Sequence, residues 1–540
     1  MLQIVENDFY AQKADRQYAS ASQNIFNRGS IFFQNKDGSL VSAGTLEEGF
    51  TVAINPQILK DPEGVYMKLS EIIPVDKDVF MAKAGKTGDP YEVVAEKVSM
   101  ENGKKIEALG ITGLNAYKER WRFYPGGKVA AHIIGMLGYK GDEYAGRYGL
   151  ERQFESFLSR KDGGYVNFFA EIFSDIKTAS GDSLSGEADI VTTIEPTVQS
   201  LLENTLATTT EKWGSEITGG IIMNPSTGEI YAMEVYPTFD PNNSQAEKKI
   251  SIFSNPLVEN VYEMGSIIKP LTISAGIDAG VITATSTYYD KGYVMVNNKK
   301  ISNFDGKERG TVTVQDVLSQ SLNVGAAHVQ SLLGNKLFTQ YFYSFGLNEK
   351  TGIDLPAEGR NLVDNLKSPR DIEHATASFG QGIALTPISA VRALSTVANG
   401  GVLIQPHVVK SINYKIGISK NTPIDTTRRV LKRETTEEVS RMLTYSVDHV
   451  LMNGTLRIPN YSIAAKTGTA QIAKESGGGY YEDKFLHSFV GYFPTYNPKF
   501  LIFLYIVNPK GARFGSETLT SPFMNIVNFL INYYEVPPDR

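Results

Sequence analysis

The 540-residue chain contains no cysteine. This absence excludes disulfide bonds, a thiolate nucleophile and cysteine-ligated metal sites, but it leaves the compartment open, because exported proteins can also fold without disulfides. The few histidines do not fall at the spacing of metal-ligand motifs. They are His132, His328, His374, His407, His449 and His487. We therefore expect neither a metal site nor a cofactor.

Long apolar runs and a basic excess are also missing. No stretch of about 18 apolar residues occurs, so no segment of this chain is expected to span a bilayer. The start, "MLQIVENDFYAQKADRQYAS", lacks the basic and apolar regions of a signal peptide. Two interpretations stay open: a soluble native protein, or one whose N-terminal anchor has been removed. The net charge of −6 gives no support for nucleic-acid binding, which usually leaves a basic footprint.

The length predicts roughly two to four domains, and the composition, 41% hydrophobic and 21% charged, is that of a folded globular protein. The first 190 residues contain mixed segments. "GFTVAINP" (49–56) alternates as a strand does, and "PYEVVAEKVS" (90–99) has helical spacing. A change of character near residue 195 predicts a boundary between an N-terminal domain, 1–195, and a second domain, 196–540.

The second domain begins and ends with strand signals. A strand at 188–194 and a long helix from about Pro196 precede a hairpin pattern at 219–235, whose turn contains Asn224 and Gly228. The middle of the domain is mainly helical. Three apolar segments then follow in quick succession, "YSIAAKTGTAQIA", "HSFVGYFP" and "FLIFLYIVNP", and they predict an antiparallel meander. This order favours an α+β fold with one antiparallel sheet covered by helices.

The first chemical motif is "GSIIKP", in which Ser266 and Lys269 are three residues apart. Residues at this spacing share one helix face, and Pro270 places the start of the helix at or just before Ser266, because proline fits only the first turn. A serine becomes a nucleophile when a base takes its proton. A lysine can be that base if burial lowers its pKa. Alone, this pattern more often marks a helix cap beside a lysine that reaches solvent.

Two further motifs are weaker by themselves. Ser321 and Asn323 form Ser-x-Asn, where a hydroxyl can relay a proton and an amide can orient a lysine and a substrate amide. In "AAKTGTAQ" (464–471), Thr467 and Thr469 share one face of a strand and Lys466 the other. Two hydroxyls beside an ammonium make a good carboxylate binder. A polar loop and a surface strand are the ordinary alternatives.

Gly468 completes the third motif, and without a side chain it allows another segment of the chain to approach the strand closely.

The three motifs together are far more specific than each motif alone. Ser321 and Lys466 follow Ser266 by 55 and 200 residues. Ser-x-x-Lys, Ser-x-Asn and Lys-Thr-Gly in this order are the signature of penicillin-binding proteins and serine β-lactamases.

Beyond these motifs, the sequence resembles class B penicillin-binding proteins over nearly its whole length. "NRGSIFFQNKDGSLVSAG", "RFYPGGKVAAHIIGMLG" and "GRYGLERQFESFL" are similar to motifs of their N-terminal pedestal. "NPSTGEIYAM", "YEMGSIIKP", "SQSLNVGA", "FGQGIALTPI", "VANGGVLIQP", "AAKTGTAQ" and "HSFVGYFP" follow in the family's order. The usual Pro-Gly-Ser is Met264-Gly265-Ser266 here, and Ile267-Ile268 replaces a commoner Thr-Phe pair. The resemblance implies a penicillin-binding/β-lactamase-like transpeptidase domain, preceded by an elongated, mixed α/β-rich pedestal domain.

The resemblance also implies the activity of a D,D-transpeptidase that cross-links peptidoglycan stem peptides. Ser266 would attack the penultimate D-Ala carbonyl and Lys269 would take its proton. Terminal D-Ala would leave after receiving a proton through Ser321, with Lys269 and Lys466 tuning this relay. Asn323 would orient Lys269 and the donor amide. An amine of a neighbouring stem peptide would then resolve the acyl-enzyme. Which lysine or serine carries each proton stays open.

By the same resemblance, Thr467 and Thr469 would hold the terminal carboxylate near Lys466. The backbone N–H groups of Ser266 and Thr469 would form the oxyanion hole, and β-lactam antibiotics would acylate Ser266. The pedestal would dock a membrane glycosyltransferase and other partners of the division or elongation machinery. The site would lie on the extracytoplasmic face of the cytoplasmic membrane, in the cell envelope. Few pedestal insertions and no repeat domain after Arg540 favour a division role over elongation.

Three alternatives share the motifs. A β-lactamase would need a glutamate between the second and third motifs, and "LPAEGRNLVDN" (355–365) does not match its pattern. A D,D-carboxypeptidase usually has its extra domain after the catalytic one. A catalytically silent β-lactam sensor or scaffold is disfavoured by the intact motif residues. The Gly-rich loop at 474–484 has two equal interpretations, a lid at the mouth of the site and a slack surface hairpin.

Overall fold

The computed structural model describes residues 28–141, 143–159, 188–474 and 477–540. Its strands are β1 Ile31–Gln34, β2 Leu40–Ile54, β3 Glu92–Ser99, β4 Leu114–Phe123, β5 Leu137–Lys140, β6 Glu143–Gly146, β7 Ala188–Thr192, β8 Ile217–Met223, β9 Ile230–Tyr236, β10 Thr287–Asp290, β11 Tyr293–Val296, β12 Lys299–Ser302, β13 Gly310–Thr313, β14 Val409–Tyr414, β15 Ser419–Asn421, β16 Ala464–Ala473, β17 Tyr480–Phe493 and β18 Phe500–Val507.

Helices occur both in the N-terminal part of the chain and in the part that follows residue 195. The α-helices are α1 Pro62–Ser70, α2 Lys77–Ala84, α3 Met100–Ala108, α4 Ala131–Ile134, α5 Gly149–Gln153, α6 Glu155–Leu158, α7 Pro196–Trp213, α8 Pro256–Glu259, α9 Lys269–Asp278, α10 Val314–Ser319, α11 Asn323–Ser344, α12 Asp371–Ala377, α13 Pro387–Ala398, α14 Arg433–His449 and α15 Gly515–Tyr533. A 3₁₀ turn, Gly265–Ile268, leads directly into α9. Within the described residues, no helix is both long and apolar enough to cross a membrane.

The N-terminal part of the chain is built on a seven-stranded mixed sheet. Its order is β15-β14-β7-β1-β2-β3, with β4 also paired to β2. Helices α1 to α3 cover β2 to β4 and bury a separate core that includes Phe50, Leu69 and Phe80. Strand β7 pairs in parallel with β1 and antiparallel with β14. Because β14 and β15 come from beyond residue 400, this sheet connects the N-terminal part of the chain with the second region.

The second region is built on a five-stranded antiparallel sheet with the order β16-β17-β18-β8-β9. Both faces of this sheet are buried. Successive side chains of a strand point to opposite faces, so neighbouring residues belong to different hydrophobic cores. Ile222 packs with Phe523 and the rest of α15 on one face. Ile221 packs with Leu271 of α9 on the other. Strand β16 lies at the edge of the sheet, next to the 3₁₀ turn that carries Ser266.

The predicted α+β fold is confirmed, including the hairpin β8–β9 and the meander β16–β17–β18. The helix predicted in "PYEVVAEKVS" is wrong, because residues 92–99 form β3. This strand pairs with the long β2, Val98 opposite Phe50 and Val93 opposite Ala53. Its β-branched valines suit a pleated, half-buried surface, and tertiary pairing overrides the helical spacing.

Candidate active site

The backbone around Ser266 is shaped by two glycines and a serine. Gly265 has φ +62°, and a Cβ there would lie 2.7 Å from the carbonyl oxygen of Thr469, so only glycine fits without strain. Its N–H donates to the carbonyl of Gly380 at 3.2 Å, and the hydroxyl of Ser488 donates to the carbonyl of Met264 at 2.9 Å. These contacts fix the residues before Ser266, which itself stays partly exposed at the start of the helix.

The helix start lies where it was predicted, with one difference. Residues 265–268 form a 3₁₀ turn, and α9 proper begins at Lys269. Pro270 occupies the first turn, where no backbone N–H is needed. The side chains of Ile267 and Ile268 are fully buried. This geometry places the amine of Lys269 2.9 Å from the Ser266 hydroxyl.

Lys269 is completely buried, and the hydrogen-bond partners of its amine are uncharged oxygen atoms. Nζ lies 2.6 Å from the carbonyl oxygen and 3.1 Å from the hydroxyl of Ser321. Burial, followed by the nearby charge of Lys466, holds the pKa of Lys269 well below the ordinary lysine value. A neutral amine has a lone pair, so this lysine can receive the proton of Ser266.

Ser321 links the two lysines. Its hydroxyl lies 3.0 Å from Nζ of Lys466 as well as within reach of Lys269, and burial lowers the pKa of Lys466 to about 7. The backbone of Ser321 has φ +57°, a left-handed conformation that a serine adopts at some cost and that is often found at functional sites. The structure thus connects Ser266, Lys269, Ser321 and Lys466 through successive hydrogen bonds.

Asn323 is the first residue of α11, beside this chain of contacts. Its side-chain amide donates to the carbonyl of Ser302 at 3.0 Å. The hydrogen bond that the structure gives Asn323 therefore runs to the end of β12 rather than to Lys269. The expectation that Asn323 orients Lys269 stays a prediction, and the observed contact ties the Ser-x-Asn segment to the β11–β12 hairpin.

Strand β16 forms the opposite wall of the site. Lys466 and Gly468 are buried, whereas Thr467 and Thr469 are partly exposed, as the alternation of the motif predicts. A Cβ on Gly468 would lie 2.3 Å from Ser488 Oγ and 2.8 Å from Met264 O, so the glycine allows the nucleophile segment to pack against the strand. The N–H of Gly515, at the start of α15, donates to the hydroxyl of Thr469 at 3.0 Å.

Sequence reasoning missed one pair at the edge of this site, Glu263 and Tyr480. The Tyr480 hydroxyl donates to both carboxylate oxygens of Glu263, at 3.0 Å each, and the N–H of Gly382 donates to the same carboxylate at 3.1 Å. Glu263 and Tyr480 are 217 residues apart, so no local pattern could have joined them. The Gly-rich loop at 474–484, interpreted above either as a lid or as a slack surface hairpin, includes Glu475 and Ser476, which lie outside the described residues.

In the described ranges, no group of three or more histidine, aspartate or glutamate side chains is arranged to hold a metal ion. His487, which pairs with Thr469 in the sheet, is fully buried. Its Nδ1 lies 3.0 Å from the Thr518 hydroxyl, and burial lowers its pKa to about 4. This histidine is therefore neutral at physiological pH, and the amines that can accept a proton here are those of the two lysines.

Comparison with known proteins agrees with this geometry. Residues 218–528 match the family model for the penicillin-binding protein transpeptidase domain, which covers more than half of the chain. Residues 27–170 match the model for the penicillin-binding protein dimerisation domain. The chain is a class B penicillin-binding protein. The family predicted from the motifs is thereby confirmed.

Named relatives of this penicillin-binding protein share about a quarter of its residues. Stage V sporulation protein D of Bacillus subtilis is 29% identical over 517 residues, which are 92% of this chain and 76% of that protein. The peptidoglycan D,D-transpeptidase FtsI of Escherichia coli is 24% identical over 554 residues, covering 100% of this chain and 89% of that enzyme.

Solved structures share its fold. Penicillin-binding protein 3 of Mycobacterium tuberculosis, in complex with aztreonam, superposes with a TM-score of 0.72 at 21% identity and covers 95% of this chain and 97% of its own. Penicillin-binding protein 2X of Streptococcus thermophilus superposes with a TM-score of 0.76 at 21% identity, covering 94% and 79%. The fold predicted from the sequence is that of these proteins.

Proposed function

We propose that this penicillin-binding protein is a peptidoglycan D,D-transpeptidase that works through an acyl-enzyme on Ser266. The observation that carries the mechanism is the hydrogen-bonded series Ser266, Lys269, Ser321 and Lys466. Two buried lysines with lowered pKa supply a neutral amine at physiological pH. Such an amine next to a serine hydroxyl is what nucleophilic catalysis at serine requires.

The proposed acylation step uses this hydrogen-bonded series. The Ser266 oxygen attacks the carbonyl carbon of the penultimate D-Ala, and its proton passes to Lys269. The carbonyl oxygen becomes an oxyanion held by the N–H groups of Ser266 and Thr469. As the C–N bond breaks, the leaving D-Ala amine receives a proton through Ser321. An amine of a second stem peptide attacks the ester by the reverse route, forming the cross-link and returning the proton to Ser266.

Binding of the donor peptide is assigned to β16. The partly exposed hydroxyls of Thr467 and Thr469 would hold the terminal carboxylate beside Lys466. Lys466, with a pKa lowered to about 7, would charge more readily when this carboxylate arrives, because an opposite charge favours the ammonium. β-lactams would occupy the same place and acylate Ser266. The related protein of M. tuberculosis is described in complexes with aztreonam and ampicillin, which supports this assignment.

The remaining proposals concern the surroundings of the enzyme. Residues 1–195 form the pedestal and 196–540 the catalytic domain, an arrangement supported by the start of α7 at Pro196. The enzyme acts on the extracytoplasmic side of the membrane, and its pedestal docks a membrane glycosyltransferase and partners of the division machinery. The names of the relatives, a stage V sporulation protein and FtsI enzymes, support a role in division or a related septal process.

Labelling with a fluorescent penicillin tests the mechanism. We expect the wild type to be labelled at one site and Ser266→Ala to remain unlabelled. Ser274→Ala is the matched control, because Ser274 lies on α9 and its buried hydroxyl has no hydrogen-bond partner among the described residues. Equal labelling of Ser266→Ala, or no labelling of the wild type, would overturn the proposal.

The fate of the label and of a donor peptide separates the alternatives. Slow release of the penicilloyl group is expected of a transpeptidase, and rapid release would indicate a β-lactamase. With a D-Ala-D-Ala donor and an added amine, we expect a cross-linked product. Hydrolysis that the amine does not divert would indicate a D,D-carboxypeptidase, and labelling without any turnover would indicate a silent sensor or scaffold.

A further inference from the structure

Glu263 lies three residues before Ser266, at the rim of the active site. Its carboxylate accepts hydrogen bonds from the Tyr480 hydroxyl and from the N–H of Gly382. Both donors are neutral. In the part of the chain that the structure describes, no lysine, arginine or histidine forms an ion pair with it, whereas the buried Glu151 of the pedestal is paired with two arginines.

This isolation is costly for a half-buried carboxylate. Burial raises the pKa of Glu263 above its ordinary value, although the bonds from Tyr480 and Gly382 work against that rise. Carboxylates removed from water are usually paired with a cation. The tyrosine and the backbone N–H hold this one in a fixed orientation. A carboxylate held in this way is suited to binding a cationic group.

In the binding mode proposed above, the path of the donor peptide passes this carboxylate. With the terminal carboxylate at Thr467 and the reacting carbonyl at the N–H of Thr469, the peptide runs along β16 from Thr469 toward Ala473, at about 3.3 Å per residue. Tyr480 pairs with Ala473. Gly265 packs against Thr469 and Ala470, which places the segment containing Glu263 beside the same stretch of strand.

We propose that Glu263 binds an alkylammonium group on the side chain of the donor stem peptide, on the residue directly before the acylating D-alanine, with Tyr480 as the residue that positions the carboxylate. This assignment rests on the proposed function of the site and names the substrate class within it. The amine of an acceptor peptide has the same chemistry. Because the donor peptide is placed along β16 toward Ala473, we assign the amine to the donor peptide and not to the acceptor.

The test uses two thioester donors that differ only in whether this side-chain amine is free or acetylated. We measure the rate constant for acylation of Ser266 by each donor. We expect the wild type to prefer the free amine by about fivefold, the strength of a partly exposed ion pair. Glu263→Gln keeps the shape of the side chain and removes its charge. It should abolish the preference by slowing only the free-amine donor.

Two further variants separate recognition from support of the fold. Glu482→Gln removes an exposed carboxylate from the same hairpin and should keep the full preference. Tyr480→Phe keeps the charge of Glu263 and should retain part of the preference, with the acetylated donor unaffected. The proposal is overturned if Glu263→Gln retains the preference or slows both donors equally. Loss of wild-type penicillin labelling would instead overturn the proposed function.

Discussion

The molecule contains two buried clusters of basic side chains, and the two clusters differ in whether carboxylates lie beside them. In the pedestal, Arg28 and Arg122 both contact the carboxylate of Glu151, with Nε to carboxylate distances of 2.6 Å. At the active site, Lys269 and Lys466 are equally buried, yet their amines contact only serine and backbone oxygens. The arginines of the pedestal are therefore neutralised by a carboxylate, whereas the two lysines of the active site have no carboxylate partner among the described residues.

The choice of side chain matches each solution. A guanidinium remains charged in proteins, so a buried arginine needs a counter-ion, whereas a buried lysine can lose its proton. Burial alone would raise the pKa of Glu151, but Arg122 and Arg28 outweigh it and hold that pKa below its ordinary value. The unpaired lysines respond with lowered pKa values instead. We infer that the pedestal cluster contributes to folding and that the lysine pair sacrifices stability for reactivity.

Removing the proposed base should have the largest effect. Lys269→Met preserves most of the buried volume, and the rate of penicillin acylation should fall by about 10³-fold, within the range for loss of a general base. The measurement is the rate of labelling under single-turnover conditions. Labelling within a factor of about ten of the wild type would show that Lys269 is not the base.

The same variant should not lose stability. The pKa of Lys269 is depressed in the folded protein. Between this folded pKa and 10.5 the unfolded chain therefore binds a proton that the folded protein lacks, and this disfavours folding. We expect Lys269→Met to unfold at the same or a higher temperature at pH 7, as measured by calorimetry. A clear decrease in the unfolding temperature would mean that the folded protein stabilises the charge of Lys269 instead of destabilising it.

Breaking the pedestal cluster should give the converse result. Glu151→Ala leaves the buried Arg122 without a carboxylate partner and leaves Arg28 with Glu155 alone. The variant should cost about 3–5 kcal/mol of unfolding free energy, measured by denaturant titration. The protein that remains folded should be labelled at the wild-type rate. In the wild type, the contribution of Glu151 is present above its unfolded pKa of 4.5 and is lost as the pH falls through the lower folded pKa.

Ser321→Ala tests the link between the two lysines. The variant removes the hydroxyl that contacts both amines, and we expect acylation to slow by about 100-fold, the lower range for a proton-transfer group. The unfolding free energy should change little, because no charge loses its partner. A loss of stability comparable to that of Glu151→Ala would assign Ser321 a structural role.

The smallest effect is expected at a surface ion pair. Lys77 and Glu63 are both about half exposed and lie 2.5 Å apart. Glu63→Ala should change the unfolding free energy far less than Glu151→Ala does, because solvent screens exposed ion pairs. It serves as the control for Glu151→Ala, since both remove one glutamate from the pedestal. Equal losses in the two variants would show that burial does not explain the difference.

The sequence predicted the geometry within each short motif, but it did not predict contacts between residues that are far apart along the chain. The spacing of Ser266 and Lys269 is a helical contact, and the alternation of Lys466 to Thr469 is a strand pattern, so each motif predicted its own geometry. The contact of Arg28 with Glu151 spans 123 residues. The contact between Glu263 and Tyr480 depends on how the β16–β17 hairpin meets the nucleophile segment.

Two further details lay outside what periodicity can predict. The left-handed backbone of Ser321 is imposed by its surroundings, because a serine has no intrinsic preference for that conformation. The pairing of β3 with β2 decided the structure of residues 92–99 against their helical spacing. In both cases the tertiary structure overrides the local signal, which is where reading one sequence alone is weakest.

The pH dependence of acylation tests most directly whether the buried lysine pair supplies a neutral amine. The rate constant for labelling by fluorescent penicillin would be measured between about pH 5.5 and about pH 9.5. Because burial holds the pKa of Lys269, the proposed base, well below the ordinary lysine value, the rate should level off before the alkaline limit of this range is reached. A rate that keeps rising tenfold per pH unit to the alkaline limit would indicate an ordinary, charged lysine and would contradict the mechanism.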